Sequence, residues 1–153
     1  MKNNLNLKSI NKVELLSFPS FSDHNGVLTV LDNIDLIPFK VARFFTVSAE
    51  KKAIRGQHAH KECSQLLISV SGSIEVICDD GYKKSKYLLD ASNLGLLIPP
   101  GVWAQETYLK ENTILMALCD LPYDADDYIF DIEQLRQLKQ QNNKITKLNN
   151  NDK

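Results

Sequence analysis

The feature that most restricts the fold of this chain is a succession of short β-prone runs, each closed by turn-forming residues. Residues 26–31 read GVLTVL, 41–47 VARFFTV, 65–70 QLLISV and 74–78 IEVIC, and positions 86–89, 94–98, 102–107 and 113–118 continue the series. Between them stand Ser71-Gly72, Asp80-Gly81 and Pro99-Pro100-Gly101. Glycine accepts the positive φ of a tight hairpin, so Asp80-Gly81 marks one, whereas the double proline makes a rigid corner. Strands recurring about every 8–12 residues form an antiparallel sandwich or barrel rather than βαβ units.

The pattern changes near residue 122. Over residues 131–141 (DIEQLRQLKQQ), Ile132, Leu135 and Leu138 fall on one helical face and Asp131 is placed to cap the N-terminus. One C-terminal helix is therefore expected to pack its apolar stripe on a sheet. Residues 142–153 are rich in Asn, Lys and Asp, the composition of a frayed tail. The expectation is one domain over residues 1–141 and a polar, disordered tail over 142–153, with no internal repeat or linker.

A chain of 153 residues can enclose one proper core. Its net charge of -1 gives no general attraction to nucleic acid or to a membrane surface. No apolar run approaches the roughly 20 residues of a membrane span. The first 16 residues mix Lys, Asn and Glu among apolar positions, unlike a signal peptide. Cys63, Cys78 and Cys119 sit in apolar stretches and read as small core residues in a reducing, cytoplasmic setting.

The chemistry centres on RGQHAHKECSQ, residues 55–65. In a strand, His58 and His60 point to the same face with Cα atoms about 6.5–7 Å apart. Facing inward, both imidazoles enter one cavity, with Arg55 and Lys61 adding positive charge near its rim; facing outward, they are two solvated histidines on a strand edge. Imidazole titrates near pH 6.5, so a neutral pair in a cavity can pass protons between adjacent atoms. That suits removal of a proton beside a carbonyl and stabilisation of the resulting enediolate.

Arg55-Gly56-Gln57-His58-Ala59-His60-Lys61 resembles the RGxHAHK signature of the sugar 3,4-ketoisomerases, the FdtA/QdtA/WxcM-like group of RmlC-like cupins. Further matches follow in order: Gln65-Leu66-Leu67, Gly72-Ser73, Asp79-Asp80-Gly81, Gly95-Leu96, Ile98-Pro99-Pro100, Val102-Trp103, and the seven residues from Tyr123 to Ile129 (YDADDYI). Asp23-His24-Asn25-Gly26-Val27-Leu28 resembles the family's first strand, and Arg43 the arginine before its second. The resemblance spans about residues 23 to 135.

It implies an all-β chain: an antiparallel cupin barrel (double-stranded β-helix, or jelly-roll) with one C-terminal helix, in a homodimer that exchanges N-terminal strands. It implies a cytoplasmic isomerase, without cofactor or metal, that moves a ketone between C4 and C3 of a dTDP-linked 4-keto-6-deoxyhexose for surface glycans such as lipopolysaccharide. His58 and His60 become the proton-transfer pair; Arg43, Arg55 and Lys61 become candidates for the diphosphate, and Gln65 and Trp103 for substrate contact. Metal-binding cupins complete H-x-H with a carboxylate and a later histidine, where this chain has Gln65 and Ala104, a poor donor set for a divalent metal. Three positions depart from the family pattern: Phe45 replaces a frequent tyrosine, Ala104 a histidine or arginine, and Asn25 an arginine or tyrosine. The alternative is a sugar-nucleotide-binding cupin with a degenerate or altered catalytic set.

Overall fold

A computed structural model describes residues 5–31 and 36–151 of the chain. The strands are β1 (Glu14–Ser17), β2 (Ser20–Asp23), β3 (Gly26–Thr29), β4 (Arg43–Ala49), β5 (Ile54–His60) and β6 (Gln65–Ser71). They continue with β7 (Ile74–Asp79), β8 (Lys84–Leu89), β9 (Leu94–Ile98), β10 (Trp103–Tyr108), β11 (Thr113–Cys119) and β12 (Tyr128–Ile129), before the helix α1 (Ile132–Asn151). The apolar runs of the sequence become β3, β4 and β6 to β11. Strands β1, β2 and β12 are too short, and β1 and β2 too exposed, to leave a periodic signal.

The strands form two five-stranded antiparallel sheets, ordered β1-β9-β6-β11-β4 and β12-β5-β10-β7-β8, and a separate two-stranded sheet of β2 and β3. A closed cupin barrel, expected from the resemblance, is not what forms. Among the described residues no strand ladder joins the two large sheets, so the cupin-like body is an open sandwich. Closure needs long, tilted strands that pair on both sides. Here the edges are β4, a four-residue β1, a two-residue β12 and a β8 that exposes Lys84 and Lys86, and the last three carry features that end pairing. Chain crossings use glycine corners: Gly72, at φ 80, carries the chain from β6 in one sheet to β7 in the other.

The main core lies between the sheets and includes Leu67, Leu115 and Ala117 of the first sheet and Val76, Cys78, Ala104 and Tyr108 of the second. Leu66, Ile68 and Leu118 point the other way, under Leu36, Ile37 and Phe39. Burial on both faces explains why QLLISV is a continuous apolar run rather than an alternating one. On the outer face of the second sheet, Leu135 of α1 packs on Ala59 and Ile129, with Trp103, Ile132 and Leu138 around them.

Asp131 caps α1 as its position suggested, its Oδ1 accepting from the Glu133 amide at 2.9 Å. The helix does not stop at Gln141, where composition placed the start of a polar tail, but runs through Asn151. No glycine or proline interrupts that stretch, and each further residue adds a backbone hydrogen bond. Lys139 and Asn142 also tie the helix to the backbone carbonyls of Lys8 and Leu5. Positions 152 and 153 lie outside the described residues. Among the described residues no helix is long and apolar enough to cross a membrane.

Candidate active site

The two histidines owe their orientation to an irregularity in β5. Gly56 and Gln57 both adopt positive φ, 72° and 59°, and the pairing with β10 slips between Ala104 and Gln105. Such a bulge re-aims the side chains that follow it. After it, Ala59 faces α1, while His58 and His60 turn to the opposite face and into the sandwich. Gly56 also has a steric role, because the Glu106 carboxylate occupies the space a Cβ would need. The His60 carbonyl accepts from Gly101 N–H at 2.8 Å, so the corner after the double proline pins this end of β5.

The imidazole rings of His58 and His60 meet edge to face, with centroids 4.9 Å apart. The Tyr128 ring covers both, at 4.8 Å from His58 and 4.6 Å from His60. His60 is only 5% exposed, and its Nδ1 lies 2.7 Å from Asp127 Oδ2. The other Asp127 oxygen accepts from the Glu62 amide at 2.7 Å, which fixes the carboxylate. An ionised carboxylate only accepts, so His60 Nδ1 carries the proton and Nε2 the lone pair. That Nε2 is buried and has no partner among the described residues. Burial holds both histidines below the usual imidazole range, outweighing for His60 the opposing pull of Asp127. Both are therefore neutral bases at neutral pH.

A cavity of about 400 Å³ opens beside His58, between the two sheets. Arg55, Gln65, Glu106 and Tyr128 supply its polar lining, and Phe45, Val47, Leu67 and Leu115 its apolar walls. His58, Arg55 and Gln65 are thus brought together. Arg43 approaches from β4 and stands over the Phe45 ring at 5.4 Å. Its guanidinium and the Gln65 amide each reach the Cys119 sulfur at 3.5 Å. A hydrogen bond from Cys63 foremost, helped by Arg43 and Gln65, holds the Cys119 thiol below the usual range against the opposing effect of burial.

Lys61 and Trp103 are placed elsewhere. The Lys61 ammonium donates to the Asp126 carbonyl in a separate depression of about 450 Å³ lined by the 121–127 segment. Trp103 packs with α1 on the outer face, because in β10 it is Ala104, Glu106 and Tyr108 that point inward. Asp127, Tyr128 and Glu106 complete the site, and the first two were not singled out as site residues from the sequence. The first two lie in the YDADDYI segment, but only its pairing with β5 reveals that they back the histidines. His60, Cys63 and Asp127 present ligand atoms within 4.8 Å of one another, and could converge on a metal only by giving up the His60–Asp127 hydrogen bond.

The family model described as "FdtA: WxcM-like, C-terminal" matches residues 11–140. The chain is also 33% identical over 117 residues to the TDP-4-oxo-6-deoxy-alpha-D-glucose-3,4-oxoisomerase of Aneurinibacillus thermoaerophilus, covering 76% of this chain and 84% of that one. It belongs to the FdtA/WxcM-like sugar 3,4-ketoisomerase family. Solved structures in the FdtA/WxcM-like group agree. A 3,4-ketoisomerase from Helicobacter canadensis superposes with TM-score 0.77 at 31% identity, over 84% of this chain and 98% of the other. QdtA of Thermoanaerobacterium thermosaccharolyticum, solved with TDP, gives 0.80 at 28% identity, over 87% and 98%. Within this FdtA-like fold the signature histidines sit on the bulged β5. Of the departures, Phe45 lines the cavity and Ala104 is the cross-strand partner of His58. Asn25 instead lies in the turn of the β2–β3 hairpin, where its amide donates to Asp23 at 2.7 Å.

Proposed function

We propose that this FdtA-family protein shifts a ketone between C4 and C3 of a dTDP-linked 4-keto-6-deoxyhexose, and that His58 and His60 carry the protons. The observation that carries the assignment of residues is the pair itself: two neutral imidazoles edge to face at 4.9 Å, one lining a cavity and the other oriented by a fixed carboxylate. His58, on the cavity surface, takes the proton from C3. The C3–H electron pair forms a C3–C4 double bond as the C4 carbonyl becomes an enediolate oxygen. His60, held by Asp127, exchanges the proton between the two oxygens. Return of a proton to C4, with the double bond collapsing to a ketone at C3, completes an isomerisation that consumes no oxidant or reductant. Arg55 at the cavity and Arg43 near it supply charge for the diphosphate, and Gln65 contacts substrate from the wall.

Incubating the protein with dTDP-4-keto-6-deoxyglucose in deuterated water and following the sugar by NMR tests this. Deuterium at C4 and a 3-keto product are expected. Absence of both removes the assignment, and deuterium exchange surviving in His58→Asn would remove His58 as the carbon base.

A homodimer is part of the same reading. The β2–β3 hairpin pairs with neither large sheet and exposes Phe21, Val27 and Leu28 at 63%, 65% and 61%. An isolated hairpin is marginal in water, so such an apolar surface calls for a partner surface, here a second copy of the chain. Asn25, at the hairpin tip, would then belong to the neighbouring subunit's surroundings. Three buried free thiols fit a reducing cytoplasm.

A further inference from the structure

Glu106 is a buried carboxyl with no evident structural employment. It projects from β10 into the cavity that His58 lines, at 6% exposure. Among the described residues it makes no ion pair, and its carboxylate hydrogen-bonds only to its own backbone amide. Arg55 favours its charge from nearby, but burial prevails and raises its pKa to about 7. Two residues along, on the same face, Tyr108 lines the same cavity, and its buried hydroxyl has no partner among the described residues. Native interiors rarely leave such groups unsatisfied, and an apolar side chain of the same size would pack there at lower cost. A buried carboxyl bonded only to its own amide and a hydroxyl without a partner, both on residues that line one cavity, are the mark of a site completed by its ligand.

Their chemistry narrows the ligand group. A carboxylate accepts and a phenol O–H donates, so together they suit a group that does both, namely a hydroxyl. The hexose of the proposed reaction carries hydroxyls only at C2 and C3, and the C3 oxygen is engaged at the histidines. We propose that Glu106 and Tyr108 hold the C2 hydroxyl of the sugar, Glu106 accepting from it and Tyr108 donating to it. The pair fixes the ring so that C3 and C4 face His58, in a cavity where Phe45 offers no polar anchor. This inference rests on the ketoisomerase reading above.

The test compares wild type, Glu106→Met and Tyr108→Phe on dTDP-4-keto-6-deoxyglucose and on its 2-deoxy analogue, with dTDP binding measured alongside. Glu106→Met should lower kcat/KM on the parent sugar roughly 10- to 100-fold, as expected for a lost hydrogen bond to a charged group, and Tyr108→Phe by less. On the 2-deoxy analogue, Glu106→Met should differ from wild type by no more than about twofold, with dTDP affinity unchanged in all three proteins. Equal losses on both sugars, an unchanged rate on the parent sugar, or weakened dTDP binding in Glu106→Met would each overturn the inference. Where wild type itself fails to bind or convert the parent sugar, the ketoisomerase reading falls first and this inference with it.

Discussion

At the scale of single residues, the site depends on the protonation of His58, His60 and Glu106. Asp127 keeps the Nε2 of His60 unprotonated by accepting at Nδ1. Asparagine there can donate to Nδ1 and favour the wrong tautomer. Asp127→Asn should therefore lower kcat about 100-fold or more while dTDP affinity stays at the wild-type value. Because His58 and His60 both titrate below the normal imidazole value, the acid limb of kcat/KM should have its midpoint below pH 6.5. The same shifts cost stability as pH falls below about 6.5, since the unfolded imidazoles take up protons first. Glu106 acts in the opposite sense. Its folded pKa, raised from 4.5 to about 7, means that stability is lost as pH rises through that window, by about 3 kcal/mol at the limit. Glu106→Met should consequently raise Tm at pH 8 by several degrees, with the gain shrinking toward pH 5. A calorimetric series across that range checks it.

Among the elements, β5 does most to build the site, and its bulge is the vulnerable part. Alanine at Gly56 would have to adopt φ 72 and place its Cβ in the Glu106 carboxylate. Gly56→Ala should cost about 1–3 kcal/mol and rotate the histidines, visible as lost activity at temperatures where the protein is still folded. The helix α1 is the outer support of the same strand. Leu135 is fully buried against Ala59, the residue between the two histidines, so Leu135→Ala should cost about 2–4 kcal/mol in denaturant unfolding. Strand β10 shows how alternation decides function. Inward positions 104, 106 and 108 hold Ala, Glu and Tyr, and the neighbouring Trp103 is spent on packing α1.

For the whole molecule, the open sandwich leaves a hairpin and a cavity mouth unclosed within one chain. A charge on the exposed hairpin face should prevent association without disturbing the body. By analytical ultracentrifugation wild type should give a dimer and Val27→Asp a monomer, with little change in Tm at matched low concentration. A wild-type monomer at micromolar concentration would remove the dimer reading.

Much of this architecture was legible in the residues themselves. Apolar runs bounded by Asp80-Gly81 and Pro99-Pro100-Gly101 specify where strands begin and end, because turn chemistry and side-chain alternation are local properties. The same holds for the capping of α1 by Asp131 and for the shared face of His58 and His60. Barrel closure was not local: it turns on whether the edges β1, β4, β12 and β8 meet second partners, and among the described residues they do not. Nor could spacing show that Asp127 would orient a histidine 67 residues away, that Trp103 would face the helix, or that Glu106 would be the inward carboxyl. Such pairings arise when distant strands are stacked in register, so only the folded chain determines which side chains share the cavity.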